Sequence, residues 1–232
     1  MARSEDVRQM FNRIAPRYDL LNHLLSAGID RSWRRLLIRK LTEHKAERVL
    51  DVATGTADLA ILAARSGIPQ IVGLDIAEEM LAVGQEKIEK QGLTERISLR
   101  QGRAEKLPFS DRSFDAVMVA FGVRNFEDLG QGLKEMCRVT RPGGLAAVLE
   151  FSTPRGFPLR NLYMFYFRFI LPRLGGLISG DRGAYEYLPK TVLVFPQGSE
   201  FIRIMQEAGF TAVSERRLSG GIASLYIAQK PV

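Results

Sequence analysis

Val49-Leu-Asp-Val-Ala-Thr-Gly-Thr-Ala-Asp-Leu-Ala60 reads as a strand, a tight turn and the start of a helix. Apolar residues surround Asp51, small residues surround Gly55, and Asp58 to Ala64 is rich in Ala and Leu. A turn built from residues without bulk lets a ligand approach the backbone, and the helix behind it offers unpaired N–H groups. A second short apolar strand, Gln70 to Asp75, ends in an acid 24 residues beyond Asp51. In doubly wound sheets an acid at the end of the second strand accepts hydrogen bonds from a ribose. The two stretches together point to a nucleoside-bearing cofactor. The dinucleotide fingerprint asks for three glycines as GxGxxG, whereas only Gly55 stands here, between Ala53 and Ala57, so a nicotinamide site is poorly supported. A nucleoside-bearing cofactor of another kind fits the pattern better.

Outward from that stretch the chain alternates strand and helix. Strands are expected at 49–53, 70–75, 97–101, 115–121 and 145–151, with helices at 58–66, 77–91 and 128–140 and a turn at Pro142-Gly-Gly144. This order predicts a parallel sheet with right-handed crossovers and ligands at the carboxyl ends of the strands. The C-terminal part adds a helix at 199–208 and two strands, 211–218 and 223–229, around Ser219-Gly-Gly221, which fits an antiparallel last strand. Ahead of the sheet, apolar residues spaced by three and four predict a helix from Val7 to Leu25, interrupted near Pro16. A second helix, Arg31 to Leu41, carries Asp30 as its expected cap. This arm reads as a lid or docking element. Residues 152–196 break the rhythm: Tyr163, Phe165, Tyr166, Phe167 and Phe169 are interleaved with Arg160 and Arg168, too interrupted to span a bilayer, which takes roughly 20 apolar residues. They read as an apolar cover over a pocket that also touches a membrane surface, or as a core helix.

The length, 232 residues, suits one domain: an arm at 1–48, a cofactor-binding core at 49–151, a covering insertion at 152–196 and a C-terminal helix and hairpin at 197–232. One cysteine, Cys137, excludes an internal disulfide and a cysteine metal cluster, as expected of a reducing cytosol, and no metal is expected. Met1 to Arg13 contains Glu5 and Asp6 and no apolar core, so no secretory signal is expected there. The net charge of +7 is uneven: residues 1–48 hold eleven Lys/Arg against six Asp/Glu, and 155–190 hold six against two. The rest is slightly acidic, which suits a cationic cofactor, while the basic segments suit phosphates of nucleic acid or of anionic lipid.

The Val49–Ala60 pattern resembles the first motif of S-adenosylmethionine (SAM) methyltransferases, and three further blocks are similar to one family. Tyr18-Asp19-Leu-Leu-Asn22-x-x-x-Ser26-x-Gly28-x-x-x-x-Trp33, Phe121-Gly-Val-Arg124-Asn125, and Arg138-Val-x-Arg141-Pro-Gly-Gly144 followed by Leu149-Glu-Phe-Ser152 resemble motifs of the ubiquinone/menaquinone biosynthesis C-methyltransferases. The resemblance implies a Rossmann-like class I SAM methyltransferase fold, α/β, with a mostly parallel seven-stranded sheet and an antiparallel last strand, an N-terminal helical lid and a helical insertion before strand six. It implies methyl transfer from SAM to a ring carbon of a prenylated quinol, demethylmenaquinol or a methoxy-polyprenyl-benzoquinol, with the former preferred. Cofactor contacts implied by position are Asp51, Gly55, Thr56, Asp75, Ile76, the backbone of Arg103-Ala104, and Ala120. At Ala120 the family often has Ser. Asp30 stands where His is common, and Arg103 replaces a frequent Asn.

The chemistry of the residues agrees. A quinol ring carbon becomes nucleophilic when the neighbouring hydroxyl loses its proton, and a phenol titrates near ~10, so the site must favour the anion. Arg124, at a strand end, is the candidate to stabilise that oxyanion or to polarise a water, and Asn125 the candidate to orient the ring oxygens. The bland alternative for Arg124 is an ion pair with Glu127 or Asp128. Substrate-binding candidates are Tyr18, Asn22, Asp30, Tyr163 and Tyr185, with the aromatic segment 163–169 supplying a channel for the tail. The expected setting is cytoplasmic, with peripheral contact to an anionic membrane, no nucleic acid, and room for a homodimer. Rival readings are a nucleic-acid methyltransferase, which lacks an Asn/Asp-Pro-Pro-aromatic run after strand four, and a SAM-binding scaffold without turnover.

Overall fold

A computed structural model describes residues 4–17, 26, 28–170 and 182–232. Seven strands form one sheet: β1 (Arg48–Val52), β2 (Gln70–Asp75), β3 (Ile97–Gln101), β4 (Phe114–Ala120), β5 (Thr140–Phe151), β6 (Thr211–Leu218) and β7 (Ala223–Gln229), in the order β3-β2-β1-β4-β5-β7-β6. Pairing is parallel from β3 through β5, and β7 runs antiparallel to both neighbours. The central position of β4 follows from its sequence, Phe-Asp-Ala-Val-Met-Val-Ala, whose alternate residues fill both faces. Ala116 and Met118 join one hydrophobic cluster, and Val117 and Val119 join the other.

Helices α1 (Ser4–Ile14), α2 (Ile29–Glu43), α3 (Asp58–Arg65), α4 (Glu78–Lys90), α5 (Leu129–Val139), α6 (Leu159–Phe165, continued as a π-helix to Ile170), α7 (Arg182–Val194) and α8 (Ser199–Glu207) surround the sheet. The two halves of the arm part company. Trp33, Leu37, Ile38 and Leu41 of α2 are buried in the cluster under β1, β4 and β5, so this helix is a layer of the core, not a lid. Its cap is Gly28, at φ 73°, and Asp30 lies in the first turn instead of capping it. Only α1 behaves as a cover: Met10 and Ile14 pack with Ala77 and Met80 and with Tyr163 and Val192 of the insertion in a third cluster, next to the partly buried Ile76. Of residues 152–196, Tyr163 and Val192 take part in this cluster.

Pro142-Gly-Gly144 is not a turn ahead of β5 but an irregularity within it, where the β4 register shifts between Phe114 and Ala116. Gly143 N–H donates to the Lys230 carbonyl, and Lys230 N–H to the Gly144 carbonyl, each at 2.9 Å, so the irregularity is stitched to the end of β7. Arg138 of the same motif is structural too. Its guanidinium donates to Glu135 and Asp111 and to the carbonyls of Leu107 and Phe109, pinning the loop ahead of β4. Among the described residues no helix is long and apolar enough to cross a membrane.

Candidate active site

The carboxyl ends of β1, β2 and β4 border a cleft of about 680 Å³, its open mouth included. Gly55, Asp75, Ile76, Arg103, Ala104, Ala120 and Asn125 all line it, as the sequence led one to expect. The loop after β1 turns through three left-handed residues, Ala53 (φ 54°), Gly55 (φ 57°) and Ala57 (φ 63°). For alanine that conformation is unfavourable, and it persists because the surroundings fix it. One carboxylate does much of the fixing. Asp75 accepts the Gly55 N–H at 2.8 Å and the Ala77 N–H at 2.9 Å, so the acid that ends β2 clips the β1 loop to the start of α4. The Ile76 N–H is a third donor to it, so three of about four acceptor positions on an ionised carboxylate are used and one is left for a ribose hydroxyl. Burial raises the Asp75 carboxyl above its ordinary value, opposed by those N–H donors.

Two expected contacts lie beneath the cleft instead of in it. Asp51 accepts Thr54 Oγ1 at 2.7 Å and is also bonded by the Ala60 backbone, replacing the side-chain cap that Ala57 cannot give α3. Burial pushes its carboxyl up to about 7. Thr56 is buried and receives Lys87 Nζ at 3.3 Å, so its side chain is occupied away from the opening. The cleft also contains Gly102, Glu105, Phe121 and Gly122, from strand ends where ligand was expected, and Val7 and Phe11 from α1, which the sequence reading gave only to an amphipathic helix. A helix-spaced apolar residue at 7 or 11 carries no mark that distinguishes a cleft wall from core. Gly122 has a clear reason: a Cβ there would stand 2.6 Å from that of Ala53, so glycine lets the β4 end approach the β1 loop.

Beside this opening, Arg124 and Asn125 occupy a 3₁₀ turn, Val123–Asn125, directly after β4. Arg124 pairs neither with Glu127, which binds Arg103, nor with Asp128, which caps α5. Its partner is Glu150, at the end of β5: Nη1 donates to Oε1 at 2.8 Å, and the Arg124 N–H reaches Oε2 at 3.3 Å. Both side chains are buried, 6% and 1% exposed. Nη1 also donates to the Phe121 carbonyl, and the guanidinium lies 5.6 Å from the Phe151 ring centroid. The ion pair weighed as the alternative for Arg124 is thus present, with Glu150 in place of Glu127 or Asp128. Among the described residues, Arg124 Nε and Asn125 Oδ1 are buried without a hydrogen-bond partner, an uncommon and costly state that a ligand would relieve.

The insertion closes over this pair. Burial pushes the phenols of Tyr163 and Tyr187 upward. Tyr163 packs with Met10, Ile14 and Met80 in the third cluster and does not line the cleft. Phe165 and Phe169 face outward, so the expected tail channel does not include them. Asp30 is also away from the opening: it accepts Ser26 Oγ at 2.7 Å and Arg34 Nε at 3.4 Å. Tyr18, Asn22 and the side chain of Tyr185 lie outside the described residues.

A small-residue loop, a buried acid ending β2 and an unsatisfied amide oxygen fit a nucleoside-bearing cofactor. Among solved structures the chain resembles the [4+2]-cyclase SpnF, with TM-score 0.71 and 18% identity over 99% of this chain and 97% of that one. It also resembles the Haemonchus contortus phosphoethanolamine N-methyltransferase 2 in complex with S-adenosyl-L-methionine, with TM-score 0.59 and 16% identity over 80% and 49%. These likenesses establish the fold alone. Sequence relatives are nearer. The demethylmenaquinone methyltransferase of Bacteroides fragilis is 49% identical over 98% of this chain and 94% of its own length. The ubiquinone/menaquinone biosynthesis C-methyltransferase UbiE of Geobacter sulfurreducens is 47% identical over 98% and 90%. The family model described as the ubiE/COQ5 methyltransferase family matches residues 1–230, and the chain belongs to that family.

Proposed function

We propose that the protein is a SAM-dependent C-methyltransferase acting on the ring of a prenylated quinol, with demethylmenaquinol as its substrate and menaquinol as its product. The observation that carries this reading is the full-length similarity to demethylmenaquinone methyltransferases, joined to a cleft lined by Gly55, Asp75, Ile76, Arg103, Ala104 and Ala120. Neither a nucleic-acid methyltransferase nor a scaffold without turnover gains support from the family assignment.

When bound, SAM supplies an electrophilic methyl group on a sulfonium. Asp75 would hold its ribose, the Gly55 loop would admit its backbone-facing edge, and Arg103-Ala104 would flank its adenine. Asn125, with an unused acceptor facing the cleft, would orient the ring. The ring hydroxyl must lose its proton before the neighbouring carbon is nucleophilic. Arg124 cannot accept that proton, since guanidinium stays charged. Its buried partner Glu150 can: with the proton on Glu150 Oε2, the guanidinium charge faces the phenolate and no longer a carboxylate. The site thus carries no net charge before the step and none after it. The enzyme works in the cytoplasm, and its basic segments favour contact with the anionic membrane that holds the substrate.

The test is to supply methyl-labelled SAM with reduced short-chain demethylmenaquinol, and separately with the demethyl methoxy-benzoquinol, and to locate the label by mass spectrometry. Label on the naphthoquinol ring carbon is expected. Cofactor bound at stoichiometry with no label on either ring would overturn the reading.

A further inference from the structure

Among the described residues nine large hydrophobic side chains are exposed, and seven of them fall between Phe157 and Val194. Helix α6 explains the concentration, because it is apolar on two faces. Leu159, Tyr163 and Tyr166, spaced by four and three, turn inward, and Tyr163 belongs to the cluster that includes Ile76 and Met80 of the cleft wall. Leu162 (66% exposed), Phe165 (54%) and Phe169 repeat the same spacing on the outward side, with the Phe165 and Phe169 rings 5.3 Å apart. Phe157, 85% exposed, precedes this stripe, and Leu193 and Val194 at the end of α7 add to the exposed apolar surface. Exposed apolar side chains gathered in this way on one segment mark a contact surface.

Charge selects the partner. Arg155, Arg160 and Lys190 are exposed on the same insertion, and the segment 155–190 carries six basic against two acidic residues. Aromatic and aliphatic residues bordered by cations match the interface of an anionic bilayer, where rings enter the headgroup boundary and cations meet phosphates. We infer that the outward face of α6 and the end of α7 seat the protein on an anionic lipid bilayer. A single helix, whose other face packs over the catalytic cleft, then separates lipid from site, and a prenylated ring can reach Arg124 while its tail remains in the membrane. This rests on the proposed quinol substrate only for its purpose; the docking itself does not.

Two surface variants of the full chain, Leu162→Asp/Phe165→Asp and Leu193→Asp/Val194→Asp, are compared with the unaltered protein on phosphatidylglycerol–phosphatidylcholine vesicles. Binding by co-sedimentation is expected to fall about tenfold or more in each. Methylation of long-chain demethylmenaquinol embedded in the vesicles falls with it, while methylation of a water-soluble short-chain quinol is unchanged, which also reports that the variants fold. Vesicle binding that survives both double substitutions overturns the inference. So does a change from dimer to monomer by light scattering with vesicle binding intact, which would make the face an interface between two copies. Should the unaltered protein bind vesicles through this face yet methylate neither quinol, the docking surface stands and the proposed reaction falls.

Discussion

The two halves of the site each hold a carboxylate away from water, by opposite means. At the ends of β1 and β2, Asp75 is satisfied by the backbone N–H groups of Gly55, Ile76 and Ala77, with no cation beside it among the described residues. At the ends of β4 and β5, Glu150 takes the Arg124 guanidinium at 2.8 Å in addition to the backbone N–H groups of Phe151 and Arg124. The first arrangement is rigid and leaves acceptor capacity for a ligand. The second is a balanced charge pair, and moving one proton within it changes the field that a substrate feels. A site that must bind a cofactor tightly and then shift a proton benefits from having both.

The largest expected effect breaks the second half. Glu150→Ala leaves a buried, unpaired guanidinium and should cost about 3–5 kcal/mol in urea unfolding. The double variant Glu150→Ala/Arg124→Met should lose much less than the two single losses added together, because the uncompensated charge is gone. A double variant that loses the full sum would mean that the pair is not coupled.

Next comes the first half. Asp75→Ala removes the charge-assisted bonds that clip the β1 loop to the start of α4 together with the proposed ribose acceptor, and SAM affinity measured by calorimetry should drop about a hundredfold or more. If affinity is retained while methylation disappears, the division between the halves is wrong. A narrower probe is Gly122→Val, whose Cβ would meet that of Ala53 at 2.6 Å. Overpacking of this kind costs about 1–3 kcal/mol, and it should weaken SAM binding by pushing the two strand ends apart.

The mildest change, Asp51→Asn, alters a slope more than a level. Folding raises the Asp51 carboxyl from 3.8 to about 7, so between those values the folded protein holds a proton that the unfolded chain has lost. Stability contributed by this group is therefore complete below pH 3.8 and is lost as pH rises toward about 7. Asp51→Asn should flatten the pH dependence of the thermal midpoint across that window. A variant as steep as the unaltered protein would place the shift elsewhere.

The halves also differ in how far the sequence reveals them. Asp75 and Gly55 are legible because their signal is local: an apolar strand ending in an acid, and a turn of small residues. β6 and β7 were likewise readable from turn residues and apolar runs. Arg124 was visible as a charged residue at a strand end, but its partner lies 26 residues away in the sequence and across the sheet, while Glu127 and Asp128 are nearer along the chain. Sequence distance favours the wrong acids, and only the parallel register of β4 and β5 brings Glu150 into contact. Helix α2 misled for a related reason. Its apolar face fits a lid as well as a core, and only the packing of Trp33 against Phe121 and Phe151 decides between them.

One sample can test whether cofactor binding and proton removal are divided between the halves. Glu150→Gln keeps the shape of the carboxylate and removes its basicity; SAM affinity and the single-turnover rate of ring methylation are measured on the same preparation. The predicted result is unchanged affinity with a rate lower by about a hundredfold or more. A variant that binds SAM and methylates the ring at the unaltered rate would contradict the assignment of the proton to Glu150.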